Sequence, residues 1–226
     1  RFLIVAHKVM NAQGVYFSRA LLNTFIVGLS IALAQVVLSA VAGFAFAKLD
    51  FKGRKGLILF VVGTMMLPSQ LGIIPLFMLV KNLHMVDTLY GLIVPALVTA
   101  FGVFWMRQII DAQIPNELLE AASIDGASVP RIFFSIVLPV VRQSGFVLGL
   151  FAFLAAWNDY LWPTIVLQNP KHFTLQVALT QLKPMYGLDY GLQMGGAFLA
   201  TAPLLILFIF VGKKLVTGVM DGAVKG

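Results

Sequence analysis

The residues that could do chemistry in this sequence gather in two places. The first is the stretch 114–127, IPNELLEAASIDGA, which holds Glu117, Glu120 and Asp125. Asn116 can cap a helix start there, with Glu117 in the first turn where the helix dipole favours a negative charge. Gly126 is placed to end that helix in the left-handed conformation that glycine adopts cheaply. A helix of about two and a half turns is too short to be stable alone in water, so another surface must hold it. Ala121 and Ala122 let such a surface approach the backbone, and Glu120 offers a fixed charge to a basic partner. This is the chemistry of docking rather than of catalysis. The competing reading is an amphipathic loop helix lying on a membrane. Beyond it, Ser128 can cap a following helix, Pro130 is tolerated in that helix's first turn, and Pro139 predicts a kink.

The second place is the group Trp157, Asn158, Asp159, Tyr160 and Trp162. Aromatic rings stack on sugar faces, and Asn and Asp suit hydroxyl groups, so these residues could line a path for a polar solute. The competing reading is an aromatic belt at lipid headgroups, with Asp159 near water. No serine or threonine stands in a recognisable Ser/His/Asp or Ser/Lys setting. His7, His84 and His172 lie far apart with no paired spacing for a shared metal. The chain has no cysteine, which excludes both disulfides and cysteine-ligated metal. It also lacks a Gly-x-x-x-x-Gly-Lys-Ser/Thr phosphate loop.

The elements that must carry these two groups are membrane spans. The 226 residues are 60% hydrophobic and 11% charged, against about 25% charged in soluble domains. Residues 20–47, 56–80, 88–106 and 190–212 contain no charge, and 143–170 contains only Asp159. Crossing about 30 Å of hydrocarbon takes about 20 helical residues, so each stretch can span or nearly so. The net charge of +7 would suggest nucleic acid in a soluble protein. Here the basic residues cluster at the ends of apolar runs, and topology explains them better.

Lys48, Lys52, Arg54 and Lys55 crowd the loop between the first two runs. Placing that loop in the cytoplasm puts Arg107, Arg131, Arg142, Lys213, Lys214 and Lys225 on the same side, ten basic residues in all. The opposite side receives six, namely Arg1, Lys8, Arg19, Lys81, Lys171 and Lys183, a bias that supports this orientation. The resulting map is an all-α polytopic membrane bundle forming one domain over 1–226. It has an outer N-terminal segment 1–19, three spans within 20–107, a cytoplasmic loop 108–143, two spans with an outer loop within 144–212, and a cytoplasmic tail 213–226. The spans fall near 20–47, 56–80, 88–107, 144–167 and 195–212. Asn169-Pro170 and Lys183-Pro184 predict turns in the outer loop, and Pro68, Pro75 and Pro95 predict bends. Gly145 and Gly149 have the small-residue spacing of close helix packing, within this chain or against another subunit.

The spacing from Glu120-Ala121-Ala122 through three residues to Gly126, then nine more to Ile136-Val137-Leu138-Pro139, resembles the EAA loop of ABC-importer permeases. The likeness extends over essentially the whole chain and is closest to the maltose-type carbohydrate permeases. It includes Leu67-Pro68-Ser69-Gln70, Ile74-Pro75-Leu76, Trp157-Asn158-Asp159 and the terminal run 222–226. Asp159 stands where that family often has Glu. The resemblance implies that Glu120, Ala121, Ala122, Asp125, Gly126, Ile136, Leu138 and Pro139 couple this subunit to a separate ATPase. It further implies a second permease subunit, two cytoplasmic ATPases that hold the ATP and magnesium, and an external solute-binding protein delivering a sugar. The chain would then be a multi-pass protein of a bacterial-type inner membrane with a cytoplasmic C-terminus and no cofactor of its own. The alternatives are a permease for another solute class and, more remotely, an intramembrane hydrolase.

One further expectation concerns the start of the chain. With 48–55 inside, Arg1, Lys8 and Arg19 must lie outside without a leader to carry them across. An upstream sixth span, inserted from the cytoplasm, would account for this.

Overall fold

A computed structural model describes residues 2–11, 15–186 and 190–223. Arg1, Lys225 and the end of the terminal run 222–226 lie outside the described residues, as do the side chains of Lys183, Lys213 and Lys214. The described residues form helices and no strand. They are α1 (Phe2–Met10), α2 (Phe17–Lys48), α3 (Arg54–Thr64), α4 (Ile73–Asn82), α5 (Tyr90–Ile93), α6 (Ala100–Gln113), α7 (Asn116–Ile124), α8 (Val129–Ile132), α9 (Leu138–Asn158), α10 (Leu161–Val166), α11 (Leu175–Tyr186) and α12 (Tyr190–Ala223).

Three runs are long and apolar enough to cross a membrane unbroken, Phe17–Lys48, Val129–Asn158 and Tyr190–Phe210. Two more arise if each interrupted pair counts as one span, α3 with α4 and α5 with α6. The expected five runs are therefore present as an all-α bundle, with different bounds. Leu33, Phe60, Ile74, Phe208, Ile209 and Phe210 are each between 60 and 76% exposed. Apolar surface on that scale suits lipid or an apolar partner rather than water.

Each difference from the sequence map has a local cause. The 56–80 run breaks at Pro68, whose ring biases the preceding residue away from the α region. The chain tightens there through i→i−3 bonds from the N–H groups of Met65, Met66 and Leu67. Pro75 bends nothing, since it lies in the first turn of α4, where a proline is tolerated. Pro95 sits in a 3₁₀ turn, Val94–Ala96, ahead of α6. The third span does not stop at residue 107; α6 continues to Gln113. It ends because Ile114 is forced extended (φ −117°, ψ 107°) by Pro115 behind it.

Pro139 does not separate two helices either. A five-residue π-helical turn, Phe133–Val137, precedes it and gives its ring the room that a regular α turn denies. The span expected to begin at residue 144 thus starts fifteen residues earlier, at Val129, and ends at Asn158. Asn169-Pro170 does form a turn, with the His172 N–H bonded to the Asn169 carbonyl at 2.8 Å. Lys183-Pro184 does not, since α11 runs through to Tyr186.

The chain divides into two compact units. One comprises Arg1–Ser30, Ile73–Pro95 and Phe153–Gly226. In it α12 packs against α1 and α11, and α10 packs against α4 and α5. Val9, Val166, Leu175 and Leu182 are almost fully buried. The segment after α10 is tied to α2: Asn23 Nδ2 donates to the carbonyls of Lys171 and Phe173 at 3.1 and 3.0 Å. Thr24 Oγ1 accepts from the Leu175 N–H at 2.7 Å.

The other unit comprises Ile31–Gly72 and Ala96–Ala152. Its core joins Ala40, Phe44 and Ala47 of α2, Met106 and Ile110 of α6, and Ile132, Phe133, Val137 and Val141. At Gly43 the backbones of α2 and α6 nearly touch, because a Cβ there would lie 2.8 Å from the Arg107 nitrogen. Gly145 and Gly149 of α9 receive the Val36 side chain, so their spacing serves packing within this chain. Gln35 satisfies the break before α6: Nε2 donates to the Ala96 carbonyl at 3.0 Å, and Oε1 accepts from Thr99 Oγ1 at 3.3 Å. Thr99 Oγ1 in turn caps α6 by accepting from the Gly102 N–H at 3.1 Å. Such closure is what an apolar surrounding demands of exposed backbone groups.

Candidate functional site

The stretch 114–127 folds as a free-standing docking element would. Ile114, 1% exposed, plugs the core below, and Pro115 at the N-cap position (φ −62°, ψ 145°) turns the chain into α7. Asn116 is therefore not the cap. It is the first helical residue, and its Oδ1 accepts from Lys48 Nζ at 2.9 Å instead. Glu117 occupies the first turn as expected.

The C-terminal end is closed by a Schellman motif. The Ala127 N–H bonds to the Ala122 carbonyl at 2.9 Å and the Gly126 N–H to the Ser123 carbonyl at 3.0 Å. Gly126 has φ +80°, the left-handed value that this closure requires of its glycine. Ser128 then holds the N-cap position of α8, though its hydroxyl makes no capping bond.

The two faces of α7 differ. Leu119, Ala122 and Ala127 pack on the chain's own core cluster, as do Ile136 and Leu138. Ala122 is thus turned toward its own subunit, and Ile136 and Leu138 form part of the floor under α7. Outward stand Glu120, Ala121 and Asp125, all exposed, with Leu118 at 45% and Ile124 at 87% exposure. Pro139 is exposed on the following helix. An isoleucine left in the open beside two carboxylates is the kind of patch that a partner covers.

The second group divides as well. Trp157 is 2% exposed, and its Nε1 donates to the Ala200 carbonyl at 3.3 Å. Its ring lies 5.4 Å from that of Phe153, so it is committed to the interior of its own unit. Asn158 closes the end of α9 by donating to the Leu154 carbonyl at 2.8 Å. Asp159 Oδ1 accepts from the Trp162 N–H at 3.4 Å, and Trp162 Nε1 donates to the Gly91 carbonyl at 3.0 Å. Asn158 and Tyr160 remain exposed and Asp159 half-buried.

Two polar centres were missed by the sequence reading. Lys48, taken only as a topology charge, has a side chain 5% exposed and lies 3.5 Å from Asp111 Oδ1 as well as against Asn116. Asp87, in left-handed backbone (φ 59°), accepts at Oδ1 from the N–H groups of Gln168 and Asn169 at 2.9 and 2.8 Å. His172 Nδ1 lies 3.3 Å from the same oxygen. Burial alone would raise the Asp87 carboxyl, but the two backbone donors, with His172 beside them, hold it below its ordinary value. A lone Asp in a short connection between apolar runs is the one signal that could have pointed to it.

A bundle of apolar helices, two of its spans interrupted, with a short exposed helix mounted on its core, defines a membrane transport subunit rather than an enzyme. Residues 35–219 match the family model described as binding-protein-dependent transport system inner membrane component. The arabinooligosaccharides transport system permease protein AraQ of Bacillus subtilis is 34% identical over 96% of this chain and 77% of its own length. The lactose transport system permease protein LacG of Rhizobium radiobacter is 35% identical over 84% of this chain and 69% of its own. The sn-glycerol-3-phosphate transport system permease protein UgpE of Agrobacterium fabrum is 31% identical over 94% and 76%. A chain from the crystal structure of a bacterial ABC transporter involved in import of the acidic polysaccharide alginate shares the fold. Its TM-score is 0.81 at 21% identity, covering 92% of this chain and 78% of that one. The chain belongs to the inner-membrane component family of binding-protein-dependent transport systems. It is a permease subunit of an ABC importer, a family that works with ATPase and solute-binding partners.

Proposed function

We propose that this permease carries a sugar or oligosaccharide across the cytoplasmic membrane and takes its driving force from ATPase subunits seated on α7. The observation that carries the reading is the divided helix: one face fixed to the subunit's own core, the other presenting Leu118, Glu120, Ala121 and Ile124. A rigid mount with an exposed apolar and acidic face is suited to receive a partner and to pass on its movement. In this reading two ATPases hold the ATP and magnesium, a second permease completes the path, and an external binding protein delivers the solute. The loop at 48–55, α7 and the C-terminus then face the cytoplasm. Asn158, Asp159 and Tyr160 are the members of the aromatic group free to meet a solute. The names of the relatives support the sugar, since arabinooligosaccharides and lactose are cargo of two of them.

Ala121→Trp places a large side chain on the outward face without disturbing the core side. The variant should insert normally but lose co-purification of the ATPase and, with it, transport. Retention of the ATPase at wild-type stoichiometry would sink the docking reading. Uptake of a panel of labelled pentose oligosaccharides, disaccharides, amino acids and metal ions by the assembled importer tests the cargo, and accumulation of an amino acid or metal alone would replace the sugar.

A further inference from the structure

The contact between α7 and its own subunit is of two kinds, and only one has a direction. Leu119, Ala122 and Ala127 make apolar contacts, which tolerate sliding because burial of apolar area is not directional. Lys48 makes the other kind. It is the last residue of α2, and its ammonium reaches Asn116 Oδ1 at the start of α7 and Asp111 Oδ1 in the last turn of α6. With a side chain only 5% exposed, that ammonium has little water to fall back on, so parting it from its acceptors is unfavourable. Its backbone is also held. Arg54 donates from Nη2 to the Ala47 carbonyl and from Nη1 to the Leu49 carbonyl, both at 3.1 Å, one on either side of Lys48. Gly53, with φ +87°, makes the tight return that brings Arg54 back over the end of α2.

We propose that Lys48 is a positioning residue of the coupling step. It locks the first residue of α7 to the ends of α2 and α6, so that a displacement of α7 moves both helices as one piece. The proposal rests on the reading of α7 as the ATPase seat. Its role lies in transmission: the partner binds the outward face, and Lys48 ensures that the inward face cannot slip.

The chain has no cysteine, so nitroxide labels can be placed cleanly at Ser123→Cys on α7 and Lys52→Cys in the loop after α2, both exposed positions. The distance between them is read in the assembled importer with and without ATP and vanadate. With Lys48 present, the distribution should keep its mean and width when nucleotide is added. In Lys48→Met, which keeps the stem and removes the charge, it should shift and broaden on nucleotide addition, while Lys48→Arg should restore the fixed distance. Asn116→Ala should reproduce the defect, and the double variant should be no worse than either single change, as expected when both remove one interaction. If Lys48→Met fails to insert, Asn116→Ala alone carries the test, because Asn116 is exposed and its truncation opens no cavity. The proposal is overturned if Lys48→Met, or Asn116→Ala alone in that case, responds to nucleotide as the wild type does, or if the two changes add independently. Ala121→Trp separates the two readings. If it leaves the ATPase bound, the seat on α7 falls and takes this proposal with it. If it releases the ATPase while the Lys48→Met distance stays fixed, only the role of Lys48 is lost.

Discussion

The turn that ends α7 and the loop that carries Asp87 are both held by backbone N–H groups, but those groups come from very different distances. At the end of α7 the bonds run from Asp125 to Ala121, Gly126 to Ser123 and Ala127 to Ala122, so every partner lies within five residues. Around Asp87 the donors are 81 and 82 positions away in sequence, and the loop returns a bond from its own N–H to the Val166 carbonyl at 2.9 Å. The first construction forms wherever its residues occur in that order. The second exists only once α10 has packed against α4 and α5. One is suited to be displaced as a unit, the other to hold distant segments of its own unit in register.

The largest expected effect tests whether the Asp87 region is as tightly built as this contrast requires. Gly91 opens the short helix that follows the loop, and a Cβ there would lie 2.5 Å from the Met85 carbonyl oxygen and 2.8 Å from Val166 Cγ1. The first of these is backbone and cannot rotate aside. Gly91→Ala should therefore cost about 3 kcal/mol, the upper part of the usual range for overpacking, read as a lowered thermal unfolding midpoint in detergent. Association with the ATPase, below that midpoint, should be unchanged. A loss of under about 1 kcal/mol would mean that the loop yields easily, in the range of an ordinary surface change, and the contrast would fail.

The next effect belongs to α7. Its closing glycine has open space around it, so Gly126→Val meets no neighbour and is opposed by backbone strain alone, about 1–2 kcal/mol at φ +80°. The variant should insert and unfold nearly as the wild type does, yet hydrolyse ATP with less transport per turnover, because a loosened end lets α7 fray instead of moving whole. Full transport per ATP in Gly126→Val would show that the Schellman closure is dispensable to function. Gly126→Asn, which tolerates the left-handed region better, should fall between the two.

The same division explains what could be read from the sequence. Apolar run lengths gave the five spans, and the three-residue spacing from Ala122 to Gly126 gave the α7 turn, because both signals are local. Locally similar signals misled where a second rule competed. Asn116 is a good capping residue, but Pro115 forces Ile114 extended and takes the cap position itself, releasing Asn116 to bind Lys48. Pro139 is a helix breaker, but a π-helical turn absorbs it. Pro184 promised a turn and instead lies within α11. Trp157 carried the features of a ligand platform, and its 2% exposure depends on α11 and α12, whose approach no spacing near residue 157 announces. The pairings of Lys48 with Asn116 and Asp87 with Asn169 were illegible for the same reason: each needs the tertiary fold before its partner exists.

The smallest expected effect sharpens the contrast through pH. The Asp87 carboxyl is held below its ordinary value of 3.8, since the backbone donors of Asn169 and Gln168, with His172, outweigh the cost of burial. A group that ionises more readily in the folded state stabilises that state above its unfolded pKa and loses the contribution as pH falls through the folded value. The contribution should therefore be complete above about pH 5 and should disappear below about pH 4. Asp87→Asn keeps an acceptor oxygen but removes the charge, at a loss of roughly 1 kcal/mol at neutral pH, the difference between a charged and a neutral hydrogen-bond acceptor. Thermal midpoints of the two proteins should lie apart at neutral pH and converge in acid, with the wild type descending toward the variant. No such convergence is expected for Gly126→Val, whose strain carries no charge. Parallel pH curves for the wild type and Asp87→Asn would mean that the carboxylate is not what holds residues 168 and 169. The loop would then depend on the Asp87 N–H and on packing around Val166, and the long-range construction would be as apolar as the floor beneath α7.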